Sequence, residues 1–274
     1  MKTFIVAVDF SDAANNAARF AAELAKRMEA KIILYNAFYL SIPPSEAPVL
    51  TPRLETIFSE DKAHLEAKGE EIASQYNISV ECFSSPLSIV DQLPALVRKH
   101  QADLVIMGMR GINSFNRKLF GSTSVSILRI AKFPVLVIPE EVSFQKMKNI
   151  LFAYQPAGLS KENNLSLLKE FAKVFDAYVK ILHVCLPHEE KGEIFTKETT
   201  DKIDDLLASL KHEYIQFEDE HFLHGINRGI SDTNANLLVM VPGEHNFWET
   251  LTNKSNTRKV ALNAHIPLLA LPNP

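Results

Sequence analysis

At 274 residues, with 46% hydrophobic and 23% charged side chains, the chain has the make-up of a soluble globular protein with room for one large domain or two ordinary ones. A formal net charge of −4 without a basic block argues against nucleic acid as a main partner, and no apolar run approaches the roughly 20 residues that cross a bilayer, which argues against a membrane span. Met1-Lys2-Thr3 leads straight into a strand pattern rather than a signal peptide, and Cys82 and Cys185 lie in strand-like apolar settings as inert core thiols, so the expected location is the cytoplasm.

Residues 4–8 read as a continuous apolar strand, and Asp9 ends it where open parallel sheets bind ligands. Ser11 or Asp12 can cap the helix that follows, whose apolar face is Ala13, Ala14, Ala17, Phe20, Ala21, Leu24 and Ala25. A second strand is predicted over 31–38. Residues 39–52 hold Pro43, Pro44, Pro48 and Pro52 and are expected to form a long surface loop with no regular helix. Helix returns over 54–76, and its segment 66–71 reads as a solvated face. A third strand is predicted over 78–83, a turn at Ser85-Pro86, and a helix over 87–100 started or kinked around Pro94. A buried strand over 104–107, a glycine-punctuated loop, a helix carrying Val125, Ile127, Leu128 and Ile130, and a fifth strand over 135–138 complete the unit. Alternation of this kind implies a parallel sheet with helices on both faces.

The loop is the informative stretch. Gly108 is followed by Gly111 and then by Gly121, with Ser122, Thr123 and Ser124 directly behind it at a helix start. Glycines let backbone N–H groups approach a ligand closely, and a helix N-terminus favours an anion. The hydroxyls can donate to such an anion or simply cap the helix, and the glycines can equally serve only the turns. Arg110, Arg117 and Lys118 add positive charge along the loop, and Arg110 and Lys118 read as solvated.

The spacing Gly-x2-Gly-x9-Gly-Ser, with the opening FIVAVDFSDAA, resembles the universal stress protein (UspA) family. The resemblance implies a doubly wound, Rossmann-like α/β fold of the adenine nucleotide alpha hydrolase type, with strand order 3-2-1-4-5. Strands 1 and 4 then lie side by side, and Asp9 faces the glycine loop across one crevice. It also implies an adenine nucleotide ligand (ATP, ADP or AMP, with Mg²⁺ accompanying a triphosphate), since some members of the family bind ATP and others do not. By position, Asp9 would approach the ribose or the metal–phosphate region, its other role being to cap the first helix or turn. Ala37, where the family often has valine, would offer backbone atoms to adenine. Met107 and Gly108 would meet the ribose and adenine side. Gly111, Gly121, Ser122 and Thr123 would hold phosphates through backbone N–H groups, with the Ser122 and Ser124 hydroxyls assisting.

The whole pattern occurs twice. Residues 148–153 echo 2–7, residues 177–184 echo 30–37, and residues 235–267 align with 102–134 without a gap, 133 residues downstream. Two tandem five-stranded domains are therefore expected, 1–140 and 147–274, joined by a short polar link. The second copy departs from the motif. Gly108, Gly111 and Gly121 correspond to Val241, Glu244 and Lys254, and Asp9 corresponds to Gln155. One nucleotide site in the first half is expected, with a degenerate second half as a built-in dimer partner. The fifth strands, 135–138 and 268–271, are apolar edges that need cover, and the family's dimer contact runs along this edge. An internal pseudo-dimer through these strands is expected, with a homodimer as a further assembly.

Other signals are weaker. His183, His188, His221 and His224 form no metal-ligand spacing and read as solvated or core histidines. Asp9, Ser11 and His100 lack the nucleophile-elbow pattern of a triad. Trp248, with Phe247, lies in the degenerate loop, where it can fill the vacated nucleotide pocket or mark a partner surface, with packing the expected role. Three functions follow: a nucleotide-binding stress-response protein with at most slow hydrolysis, a nucleotide-independent interaction module, and an adenylyl-transfer enzyme whose signature loops are not found here.

Overall fold

The computed structural model describes residues 1–37, 47–109, 122–154, 165–187, 194–207, 210–241 and 265–272. The apolar runs become strands and the amphipathic stretches become helices. The first half is β1 (Lys2–Val8), α1 (Asp12–Met28), β2 (Ala30–Ala37), α2 (Ala47–Tyr76), β3 (Val80–Ser85), α3 (Ile89–His100), β4 (Leu104–Met109), α4 (Ser122–Ile130) and β5 (Val135–Pro139). The second is β6 (Asn149–Ala153), α5 (Ser166–Phe175), β7 (Tyr178–Cys185), α6 (Lys197–Leu207), β8 (His212–Glu218), α7 (Phe222–Thr233), β9 (Leu237–Met240) and β10 (Leu268–Ala270).

The ten strands among the described residues join one sheet, in the order β3-β2-β1-β4-β5-β10-β9-β6-β7-β8. Each half runs 3-2-1-4-5, as the sequence resemblance implies. The repeat offsets reproduce the register too. Val6 lies opposite Ile106 in the first half, and Phe152 lies opposite Val239 in the second. Those are the partners found by adding 146 to position 6 and 133 to position 106. Helix ends repeat likewise. Glu29 and Asp176 close α1 and α5 in the left-handed conformation, and Gln101 and Asn234 do so for α3 and α7.

Among the described residues the pairs within each half are parallel, and an antiparallel pair joins the halves. Val137 lies opposite Leu268, Leu136 opposite Leu269, and Val135 opposite Ala270. At the 133-residue offset Leu136 is equivalent to Leu269, so the pairing is symmetric about that pair. A local twofold axis passes between them, which is the geometry of an isologous contact.

Residues alternate between two faces of the sheet. Phe4, Val6, Ile150 and Phe152 face a core that runs continuously through both halves under α1, α2, α5 and α6. Ile5, Val105 and Val135 face a second core with Ile127 and Leu128 of α4. Leu151, Leu182 and Leu238 face a third, under Leu223 and Ile226 of α7. Phe144, in the link between the halves, seals the shared core. Its ring meets Phe20 edge-on at 5.0 Å, lies 6.2 Å from Phe175, and has the Arg27 guanidinium 5.3 Å from its centroid. Asn16 of α1 donates to the carbonyls of Pro139 (3.1 Å) and Val142 (2.9 Å), tying the start of the link to the first half. Lys2 of β1 pairs with Glu170 of α5 at 2.5 Å.

Several element boundaries differ from the sequence expectation. Helix α2 begins at Ala47, so 47–52 are helical although a proline-rich loop is predicted there. Pro48 is the second residue, where the backbone N–H has no helical partner to lose. Pro52 does forfeit one bond, which the length of a 30-residue helix absorbs. Strand β3 is shifted two residues onward, so Ser85 belongs to the strand and pairs with Ala37. Helix α3 starts at Ile89 under a Ser88 cap and keeps Pro94 inside it. The predicted solvated face of α2 holds except at Gly69, which is buried where an added Cβ would stand 2.5 Å from Cys82 Sγ.

Candidate functional site

The carboxyl ends of β1, β2 and β4 meet at the head of the first half. Strand β1 lies between β2 and β4, with Val8 opposite Asn36 and Val6 opposite Ile106. Asp9 and Ala37 therefore leave the sheet side by side, and Gly108 leaves it on the other flank of Asp9. This is the point where the chain order of the strands reverses, the usual ligand position in an open α/β sheet.

Asp9 is exposed, and its Oδ1 accepts from the Ser11 N–H (3.1 Å) and the Ser11 hydroxyl (2.5 Å). Ser11, rather than Asp12, is the N-cap of α1, and its Oγ accepts from the Ala14 N–H at 3.3 Å. Phe10 between them has φ 60°, the left-handed region that a bulky residue rarely enters. The Asn15 amide donates to the Phe10 carbonyl at 3.0 Å. The carboxylate thus organises the turn.

Gly108 shows why this position is glycine. Its φ is not positive, so the reason is space. An added Cβ would stand 2.3 Å from the Ala13 carbonyl oxygen, 2.4 Å from its carbon and 2.8 Å from Ala14 N. The first turn of α1 therefore rests directly on the end of β4. Met107 is buried, with its side chain in the core beneath α4. Ser124, in the first turn of α4, is buried and donates to the Gly108 carbonyl at 3.4 Å, while Thr123 is exposed. Ser122 opens α4. Gly111 and Gly121, with Arg110, Arg117 and Lys118, lie outside the described residues. Of the sequence-predicted site, the structure brings Asp9, Ala37, Met107, Gly108 and the start of α4 to one edge.

Sequence reasoning passed over Phe10 and His64. The Phe10 ring stacks on the His64 ring of α2, with centroids 4.2 Å apart and planes 10° from parallel. Beside them lies a cleft of about 220 Å³ lined also by Asn15, Ala67, Lys68 and Glu71. Burial pushes the Asp61 carboxyl up, against the pull of the His64 charge one turn along. A signal existed, since a bulky residue follows the acidic one at a strand–helix turn, but its conformation is not written in the residue type.

The second half is built differently at the same place. Val184, Met240 and Val241 stand where Ala37, Met107 and Gly108 stand in the first, and all three are buried. A valine in place of Gly108 leaves no space for a helix turn against the strand. Among the described residues α5 has its N-cap at Leu165, equivalent to Ala18. Tyr154 packs with Phe195 and His183 beside it. His183 is a core histidine, with Nδ1 3.2 Å from the Tyr154 carbonyl oxygen. His224 pairs with Asp219 at 2.6 Å. Gln155, Glu244, Phe247, Trp248, Lys254 and His188 lie outside the described residues. Among the described residues no group of three His, Cys, Asp or Glu side chains is placed to hold a metal ion. Among the same residues no helix is long and apolar enough to cross a membrane.

Comparison with known proteins agrees with this architecture. The universal stress protein family model matches residues 1–139. A Staphylococcus aureus (strain USA300) protein named for the same family is 32% identical over 152 residues, which is 51% of this chain and 85% of that protein. The chain belongs to the universal stress protein family. The crystal structure of an Archaeoglobus fulgidus DSM 4304 universal stress protein superposes on 99% of this chain and 98% of its own, with a TM-score of 0.71 at 16% identity. A Pseudomonas aeruginosa PAO1 protein of unknown function covers 100% of this chain and 93% of its own, with a TM-score of 0.57 at 14% identity. At these identities the two structures speak for the fold alone, and they extend it over both halves.

Proposed function

We propose that the first half, residues 1–140, binds one adenine nucleotide (ATP, ADP or AMP) at the carboxyl edge of β1, β2 and β4, and that occupancy regulates conformation or partner binding in a stress response. The observation that carries this reading is the meeting of Asp9, the capped start of α1 and the start of α4 around Gly108, where no side chain fits. The glycine spacing that continues from Gly108 supplies the phosphate-binding character. Mg²⁺ would arrive on the phosphates, with Asp9 as the nearby carboxylate. No general base or arginine finger is recognisable in the sequence, so hydrolysis would be slow at most. The second half, 147–274, acts as the internal partner, and the protein works in the cytoplasm.

Calorimetric titration with ATP, ADP and AMP in Mg²⁺ tests this on wild type and on Gly121→Glu. Binding at a stoichiometry near one, lost in the variant, is expected. Absence of binding at millimolar nucleotide would refute it and leave the second reading, a nucleotide-independent interaction module. That reading draws on the antiparallel β5–β10 junction and on Val241. A stoichiometry near two would place a ligand in the second half as well.

A further inference from the structure

The turn that carries Asp9 is held in an unfavourable conformation by contacts from outside it. Phe10 sits at φ 60°, where glycine is at ease and a bulky side chain is not. Three contacts surround it. Asp9 holds Ser11 from one side, Asn15 holds the Phe10 carbonyl from the other, and the ring lies flat on His64 at 4.2 Å. Of these three the last reaches beyond the turn and α1, and the ring also packs at the edge of the main core. His64 is exposed, so its ring is not needed to fill a core, yet its plane is within 10° of the Phe10 ring. Strain maintained by a surrounding structure gathers at functional sites, and here it adjoins the acidic residue of the candidate site.

We propose that Phe10 and His64 are positioning residues, whose stack clamps the β1–α1 turn to α2 and so sets where the Asp9 carboxylate points into the crevice. The link to ligand binding rests on the nucleotide reading above, while the clamp itself does not. The stack joins this turn to α2, where Phe10 also packs at the edge of the main core. Charged groups around it are Asp61, Lys68 and Glu71 of α2.

Hydrogen exchange of the Ser11 amide, which donates to Asp9, reads the clamp without any ligand. His64→Ala is expected to speed that exchange by about two- to tenfold, the range that an aromatic pair supports. His64→Phe, which keeps a stacking ring, is expected to restore it. Phe10→Ala should exchange faster than Phe10→Gly, because glycine adopts the left-handed turn without a clamp. Unchanged Ser11 exchange in His64→Ala, or equal exchange in Phe10→Gly and Phe10→Ala, would overturn the proposal. The His64 variants keep it testable even if a Phe10 variant fails to fold. A parallel ATP titration separates the two ideas. Wild type that binds no ATP removes the nucleotide reading, and the exchange data still decide the clamp. Wild type that binds should lose affinity by a similar factor in His64→Ala and regain it in His64→Phe.

Discussion

Gly108→Ala is the sharpest test of how the head of the first half is packed. The new Cβ would start 2.3 Å from the Ala13 carbonyl oxygen, and real Cβ contacts stay above 3.0 Å, so the first turn of α1 must retreat by about 0.7 Å or more. The obstructing atoms are backbone, so no rotamer change relieves them. Overpacking of this kind costs about 1–3 kcal/mol. If the retreat also breaks the Ser11 cap, about 1 kcal/mol more is lost. For domains of 150–250 residues each kcal/mol corresponds to about 2–4 °C, so a melting temperature lower by roughly 2–12 °C is expected, and by up to about 16 °C if the cap is lost. Scanning calorimetry measures that fall. Hydrogen exchange should localise it to Ala14 and Asn15, whose N–H groups bond to Ser11. A variant that melts within about 1 °C of wild type, with unchanged exchange at those amides, would refute the close-packing account of this glycine.

Two further outcomes follow from other parts of the molecule. Phe144→Ala removes the ring wedged between Phe20, Arg27 and Phe175. A fully buried Phe→Ala change costs about 3–5 kcal/mol, and for this half-buried ring roughly half of that is expected in urea unfolding; no shift in the midpoint would mean the link is not part of the shared core. Asp204 accepts from the Tyr214 hydroxyl and lies 2.8 Å from His212 Nε2, and the Tyr214 bond, then His212, holds its carboxyl below the usual carboxylate range. Its folded pKa is depressed, so its contribution is present above the unfolded value of about 4 and is lost as pH falls through the folded one. Melting temperature recorded from pH 6 to 2.5 should therefore fall less steeply for Asp204→Asn than for wild type, and parallel curves would contradict this.

Much of the architecture was legible because parallel strands buried on both faces are written as apolar runs. Residues 4–8, 104–107 and 135–138 could be read in that way, and their echoes at fixed offsets carried the register to the second half. The glycine spacing marked the edge where Asp9, Ala37 and Gly108 come together. Helix α2 was misread at its start because proline's penalty depends on position along a helix, and that position follows from where the helix begins.

By itself the sequence determined two copies of one α/β unit, the strand order implied by their resemblance, and the loss of Gly108's equivalent in the second copy at Val241. Those properties are local, or repeat at a constant offset, so residue identity alone conveys them. Only the tertiary structure decided that the fifth strands meet antiparallel about Leu136 and Leu269, that Gly108 is needed for space rather than for its backbone angle, and that Phe10 is held left-handed against His64. Each depends on atoms brought together from distant parts of the chain, where approach distance and packing, rather than pattern, determine what is allowed.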